Sequence, residues 1–111
     1  MHELSICTAI AAIAGEHAAG RPVELVRIDV GALRQVVPDT LVYSWQVTVE
    51  GTPLAGSVLE VREIPAVLHC ADCGADTVIG LPVFRCPCGS TATEVVSGQE
   101  LLVTSLELVA A

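Results

Sequence analysis

Four of the five cysteines fall between residues 70 and 88, in two pairs: Cys70-Ala71-Asp72-Cys73-Gly74 and Cys86-Pro87-Cys88-Gly89. A thiolate pair on a tight turn can converge on one ion, and the following glycine frees the backbone to aim its N–H groups at the sulfurs. Two such knuckles face each other when the chain between them folds back as a hairpin. Four sulfurs suit tetrahedral Zn²⁺, with iron the second choice. The competing chemistry is a pair of disulfides. An odd cysteine total and an N-terminal stretch without a basic signal-peptide start argue against it. The second pair is Cys-x-Cys, one residue shorter than the usual Cys-x-x-Cys knuckle, so it chelates under more strain.

The elements that must carry these knuckles belong to a chain of 111 residues, enough for one modest domain and a small metal-stabilised insert. It is 52% hydrophobic with a mean hydropathy of +0.65, yet only Tyr43, Trp45 and Phe84 are aromatic. The core must therefore come from Val, Leu, Ile and Ala. No apolar run approaches the roughly 18 residues of a membrane span, and the expected location is the cytoplasm. The net charge is −8, with arginine the sole strong base. Phosphate backbones are repelled by such a chain, which argues against nucleic acid as a partner.

In chain order, the first segment reads as a helix. Leu4, Ile6, Ile10, Ile13 and His17 form one stripe, with Cys7, Ala11, Ala14 and Ala18 beside it, and Gly20 and Pro22 stop it. Cys7 is read as a small buried hydrophobe and His17 as a boundary residue. Val23 to Val30 is a strand by its alternation. Leu41 to Glu50 is ambiguous: Leu41, Tyr43, Trp45, Val47 and Val49 alternate like a strand, while Leu41, Trp45 and Val49 also repeat at helical spacing after a Pro38-Asp39 start. Ser57 to Ile64 is the next strand. Thr77 to Phe84 bridges the knuckles, Thr91 to Val96 leads out, and Leu101 to Val109 is the last strand. Its apolar run suggests a central or well-covered place. The cysteine segment thus interrupts the main domain rather than following it.

Taken together, these motifs resemble one family. They are Met1-His2-Glu3-Leu4-Ser5, Val30-Gly31-Ala32-Leu33 with Pro38-Asp39-Thr40-Leu41, Gly51-Thr52-Pro53-Leu54 before Leu59-Glu60-Val61, the two knuckles, and Gly98-Gln99-Glu100-Leu101. The chain is similar to hydrogenase nickel-incorporation proteins of the HypA/HybF type over nearly its whole length. The resemblance implies an α+β fold: two helices packed on a mixed three-stranded sheet, with an inserted zinc ribbon-like β subdomain. It assigns residues 1–65 and 97–111 to a nickel-binding helix–sheet domain and 66–96 to a zinc-binding insert. The family's second helix falls on the ambiguous stretch, so Pro38 to about Glu50 is expected to be helical. The family's second knuckle is Cys-Pro-x-Cys, and Cys86-Pro87-Cys88 departs from it.

The resemblance also implies a nickel metallochaperone rather than an enzyme, with a HypB-type GTPase and the hydrogenase large-subunit precursor as partners. Ni²⁺ is then cargo and Zn²⁺ structural, the zinc ligands being Cys70, Cys73, Cys86 and Cys88. The nickel site it points to is the terminus, Met1, His2 and Glu3. The chemistry is consistent, since an amine, two backbone nitrogens and the His2 imidazole are closely spaced nitrogen donors, and Ni²⁺ favours square-planar nitrogen fields. Read alone, a histidine at position 2 is a solvated terminus. Asp39 could add an oxygen ligand or cap the second helix. His69 is either a partly exposed strand residue or, on the sharper reading, a group that supports the zinc ligands or substitutes for one of them. The competing function is a zinc-ribbon interaction module with no nickel role. No nucleophile–base pairing, phosphate loop or carboxylate pair in a known motif suggests catalysis.

Overall fold

The computed structural model describes residues 2–110, with side chains from Glu3 onward. The elements run α1 (His2–Ala18), β1 (Val23–Gly31), a 3₁₀ turn (Ala32–Arg34), α2 (Pro38–Val49), β2 (Val58–Ile64), β3 (Ala66–Cys70), β4 (Asp76–Ile79), β5 (Thr93–Ser97) and β6 (Leu101–Leu108). They form two compact units. The first holds the chain up to Asp29, Val36–Arg62 and the residues from Leu102 on, and the second holds Val30–Gln35 and Glu63–Leu101.

In the first unit the ambiguous stretch is a helix. Val37 precedes it in an extended conformation, Pro38 occupies the first turn, and the Leu41 N–H donates to the Val37 carbonyl at 3.0 Å. Proline suits that position, because its missing N–H would find no intrahelical partner there. Asp39 lies inside the first turn and is exposed, and Val37 is the cap without a side-chain bond. The capping role expected of Asp39 is therefore not observed, although its charge still complements the helix dipole. Leu41, Trp45 and Val49 are buried at helical spacing, whereas Tyr43 and Val47 are exposed. The Trp45 indole N–H donates to Ser57 Oγ at 2.9 Å, so the largest buried side chain keeps a polar partner.

Helix α1 buries Ile6, Cys7, Ile10, Ala14 and Ala18, while Leu4, Ile13 and His17 are exposed. The buried face is thus rotated from the stripe expected of the bulky residues. Small side chains at Cys7, Ala14 and Ala18 let backbones approach closely, and the Cys7 thiol donates to the Leu41 carbonyl of α2 at 3.4 Å. Ala19 and Gly20 take left-handed backbone angles and end the helix where Gly20 was expected to stop it.

The sheet order is β2-β1-β6. Arg27 bonds Glu60 and Asp29 bonds Arg62 at the same sequence separation of 33, so β1 and β2 run parallel. Val109 donates to Pro22 and Gly31 to Glu100, so one index falls as the other rises and β6 runs antiparallel to β1. Parallel strands need a crossover, which α2 supplies. β6 is therefore an edge strand with no fully buried residue, neither the central nor the well-covered strand its apolar run suggested, and Leu102, Thr104 and Glu107 are exposed along it. Its residues alternate between half-buried and exposed, as an antiparallel edge with one solvated face requires. Beside it, Arg27 is held between Glu60 and Glu107, and Arg62 forks onto Asp29 at 2.9 and 2.8 Å.

The second unit is a three-stranded antiparallel sheet with β3 in the middle of β4-β3-β5. Leu68 faces Thr77 on one side and Val95 on the other. The turn before β6 is closely packed: a Cβ on Gly98 would lie 2.6 Å from the Ala66 Cα, and one on Gly31 would lie 2.0 Å from the Gly98 oxygen. Both positions therefore need glycine, and Gly98 also carries a φ of +112°. Among the described residues no helix is long and apolar enough to cross a membrane.

Candidate metal centre

Cys70 is the last residue of β3, where the chain turns. The Cys70 N–H donates to the Ala75 carbonyl at 3.0 Å, the Gly74 N–H donates to the Cys70 carbonyl at 2.9 Å, and Gly74 has a φ of +75°. The second knuckle closes in the same way. The Gly89 N–H donates to the Cys86 carbonyl at 2.8 Å, the Cys86 N–H donates to the Ser90 carbonyl at 3.0 Å, and Gly89 has a φ of +93°. The glycines expected to permit these turns are the residues that take the left-handed angle.

These two turns bring the four sulfurs together. All lie within 4.8 Å of one another. Cys70 Sγ is 3.7 Å from Cys88 Sγ, and Cys73 Sγ is 3.5 Å from Cys86 Sγ. A tetrahedron with Zn–S bonds of about 2.3 Å has edges of ~3.8 Å, so the donor set fits a tetrahedral soft-ligand ion. All five cysteines are free thiols, and these separations are far too long for disulfides. Cys70 and Cys86 are buried, while Cys73 and Cys88 are exposed.

The sulfurs are electrostatically unequal. The Cys70 thiol is pulled down to about 6, first by the Cys73 backbone N–H and further by that of Asp72 and by the sulfurs of Cys73 and Cys88. At Cys86 the Cys88 N–H favours the thiolate, but burial and the neighbouring sulfurs outweigh it and push the thiol up to about 12. Negative charge at one sulfur opposes it at the next. A bound divalent cation removes that conflict, because all four can then ligate as thiolates.

Among the described residues, these cysteines form the one group of three or more His, Cys, Asp or Glu side chains whose ligand atoms converge. His69 is not part of it. It is a partly exposed strand residue whose Nδ1 pairs with Asp76 at 2.7 Å, which agrees with the simplest of its readings. Met1 and the His2 side chain lie outside the described residues. Glu3, half-buried in the first turn of α1, lines a cleft of about 170 Å³ with Leu4, Thr40, Tyr43, Ser44 and Val47. Cys7 is buried as expected, and burial, with Glu3 nearby, pushes its thiol up to about 11. Sequence reasoning missed one pair at the centre, Asp72 and Ser90, which hydrogen-bond across the two knuckles. Nothing local in either residue signals that contact.

Fold and site together define a small α+β protein with four cysteines grouped so that they could hold a metal ion. The family model described as hydrogenase/urease nickel incorporation, metallochaperone, hypA matches residues 1–108, and the chain belongs to that family. It is similar to a protein named hydrogenase maturation factor HypA from Nostoc sp., at 38% identity over 108 residues, covering 97% of this chain and 96% of that one. A protein of the same name from Chloroflexus aurantiacus is 43% identical over 112 residues, covering 96% and 98%. The solution structure of the Ni metallochaperone HypA from Helicobacter pylori shares the fold, with a TM-score of 0.70, 23% identity and full coverage of both chains.

Proposed function

We propose that this chain binds Ni²⁺ at its N-terminus through Met1, His2 and Glu3, and delivers it to the [NiFe]-hydrogenase large-subunit precursor. A HypB-type GTPase is the docking partner, and the cytoplasm is the place of work. Cys70, Cys73, Cys86 and Cys88 hold a structural Zn²⁺, and residues 66–96 form the insert that this ion orders. The observation that carries the reading is membership of a nickel-incorporation family over residues 1–108, a match that includes the Met-His-Glu terminus.

The chemistry divides the two metals. Thiolates favour Zn²⁺, and the paired sulfur separations match tetrahedral edges. Nitrogen donors at the terminus favour Ni²⁺, which displaces amide protons that Zn²⁺ leaves in place. Each nickel ligand must lose its proton, so binding tightens as pH rises and acid releases the cargo.

Calorimetric titration with Ni²⁺, zinc in place and the terminus untagged, tests the reading. The unaltered chain should bind one Ni²⁺. His2→Ala or an acetylated terminus should lose at least tenfold in affinity while zinc content and fold stay unchanged. Undiminished nickel binding by His2→Ala would place the nickel site elsewhere. A chain that binds no nickel at all leaves the zinc-ribbon interaction module as the better reading.

A further inference from the structure

The two knuckles are not equally supported. Backbone N–H groups of Cys73 and Asp72 favour the thiolate at Cys70, whereas at Cys86 the Cys88 N–H is the one that does so among the described residues. The short spacing explains the difference. Pro87 has no N–H to offer, and the N–H groups of Gly89 and Cys86 are committed to the Cys86 and Ser90 carbonyls. The Cys86–Ser90 turn is therefore closed on itself. A backbone bond from the Ala71 N–H to the Ala92 carbonyl, 2.9 Å, ties the first knuckle to the residue just before β5 but not to the turn itself.

A side-chain bridge makes that connection. Ser90 Oγ donates to the Asp72 carboxylate and accepts the Ala92 N–H at 3.0 Å. Asp72 thus acts at both ends, its N–H favouring the Cys70 thiolate and its carboxylate accepting from Ser90. Hydrogen bonds to an ionised acceptor are shorter and about twice as strong as neutral ones. This one joins the residue before Cys73 to the second residue after Cys88.

We propose that the Asp72–Ser90 bridge is the clasp that holds the short Cys86-Pro87-Cys88 turn in register with the first knuckle, making Asp72 and Ser90 positioning residues of the metal centre. The inference rests on the reading of the four cysteines as a zinc site. Groups that orient metal ligands typically govern affinity by 10–100-fold, and a strained Cys-x-Cys chelate depends on such support more than a relaxed one does.

Competition of the zinc-loaded full chain against a chelator, together with the absorption spectrum of the Co²⁺-substituted protein, tests the clasp. Ser90→Ala should weaken Zn²⁺ binding about tenfold and shift the Co²⁺ ligand-field bands, with helical circular dichroism unchanged. Ser90→Thr, which keeps the hydroxyl, should restore both readouts. Asp72→Asn, an acceptor without charge, should fall between. Unaltered Zn²⁺ affinity and Co²⁺ spectrum in Ser90→Ala would overturn the clasp, as would failure of Ser90→Thr to restore them. An unaltered chain that binds Zn²⁺ without four sulfur ligands would overturn the zinc reading instead.

Discussion

The helix–sheet unit and the cysteine unit achieve order by different means. In the first, Trp45, Leu41 and Val49 of α2, Ile6, Cys7, Ile10 and Ala14 of α1, and Val26 and Ile28 of β1 are buried together with Leu54 and Leu59. In the second, Val30, Ala66, Leu68, Cys70 and Cys86 are buried, while Val78, Leu81, Val83, Phe84 and Val96 are exposed. Two of those five buried side chains are cysteines. Burying a Leu or Ile contributes about 1.5–3 kcal/mol, so one unit has many such terms and the other very few. A segment with so little apolar burial relies on a staple, and the four sulfurs are placed to hold one.

The largest effect that would sharpen this contrast is loss of the metal. Structural zinc supplies about 10–16 kcal/mol of apparent binding energy in small metal-ordered units. Cys73→Ala should release Zn²⁺ and disorder roughly residues 66–95 while α1, α2 and β1 stay folded. Amide exchange read segment by segment checks it, and an insert that stays protected without zinc would erase the distinction.

A smaller effect should appear from the other side. Trp45→Ala removes the largest buried side chain and leaves Ser57 without its indole donor. It should cost about 3–5 kcal/mol in denaturant unfolding of the helix–sheet unit. Zinc content measured on the folded variant should be unchanged. Loss of zinc in that variant would show that the two units are not independent.

The smallest effect concerns the fifth cysteine, which has the same thiol chemistry in an apolar setting. Its thiol lies near 11 when folded against an ordinary 9.0. A raised value means the folded state keeps its proton where the unfolded chain loses it. The associated stability is complete below pH 9, declines as pH rises towards 11, and amounts to something on the order of 2 kcal/mol. Cys7→Ala should remove that part of the alkaline decline in urea unfolding. In the native protein at neutral pH, alkylating reagents should leave Cys7 unmodified, a result mass spectrometry reads directly.

The sequence by itself determined what depends on near neighbours. Cys70 to Gly74 and Cys86 to Gly89 specify two turns through residues a few positions apart, so spacing alone set each pair of sulfurs on its own turn. The end of α1 at Gly20 and the alternation of β1 are likewise written locally. The tertiary structure decided everything that depends on what lies opposite. Leu41 to Val49 carries a strand period and a helix period together; burial of Leu41, Trp45 and Val49 on one face chose the helix, leaving Tyr43 and Val47 exposed. The buried face of α1 followed the small residues, because close approach to α2 favours Cys7 and Ala14 over Ile13. β6 became an edge because β1 already had β2 on its other side. The Asp72–Ser90 bridge joins residues 18 apart in sequence, and only the folding of one knuckle onto the other brings them together.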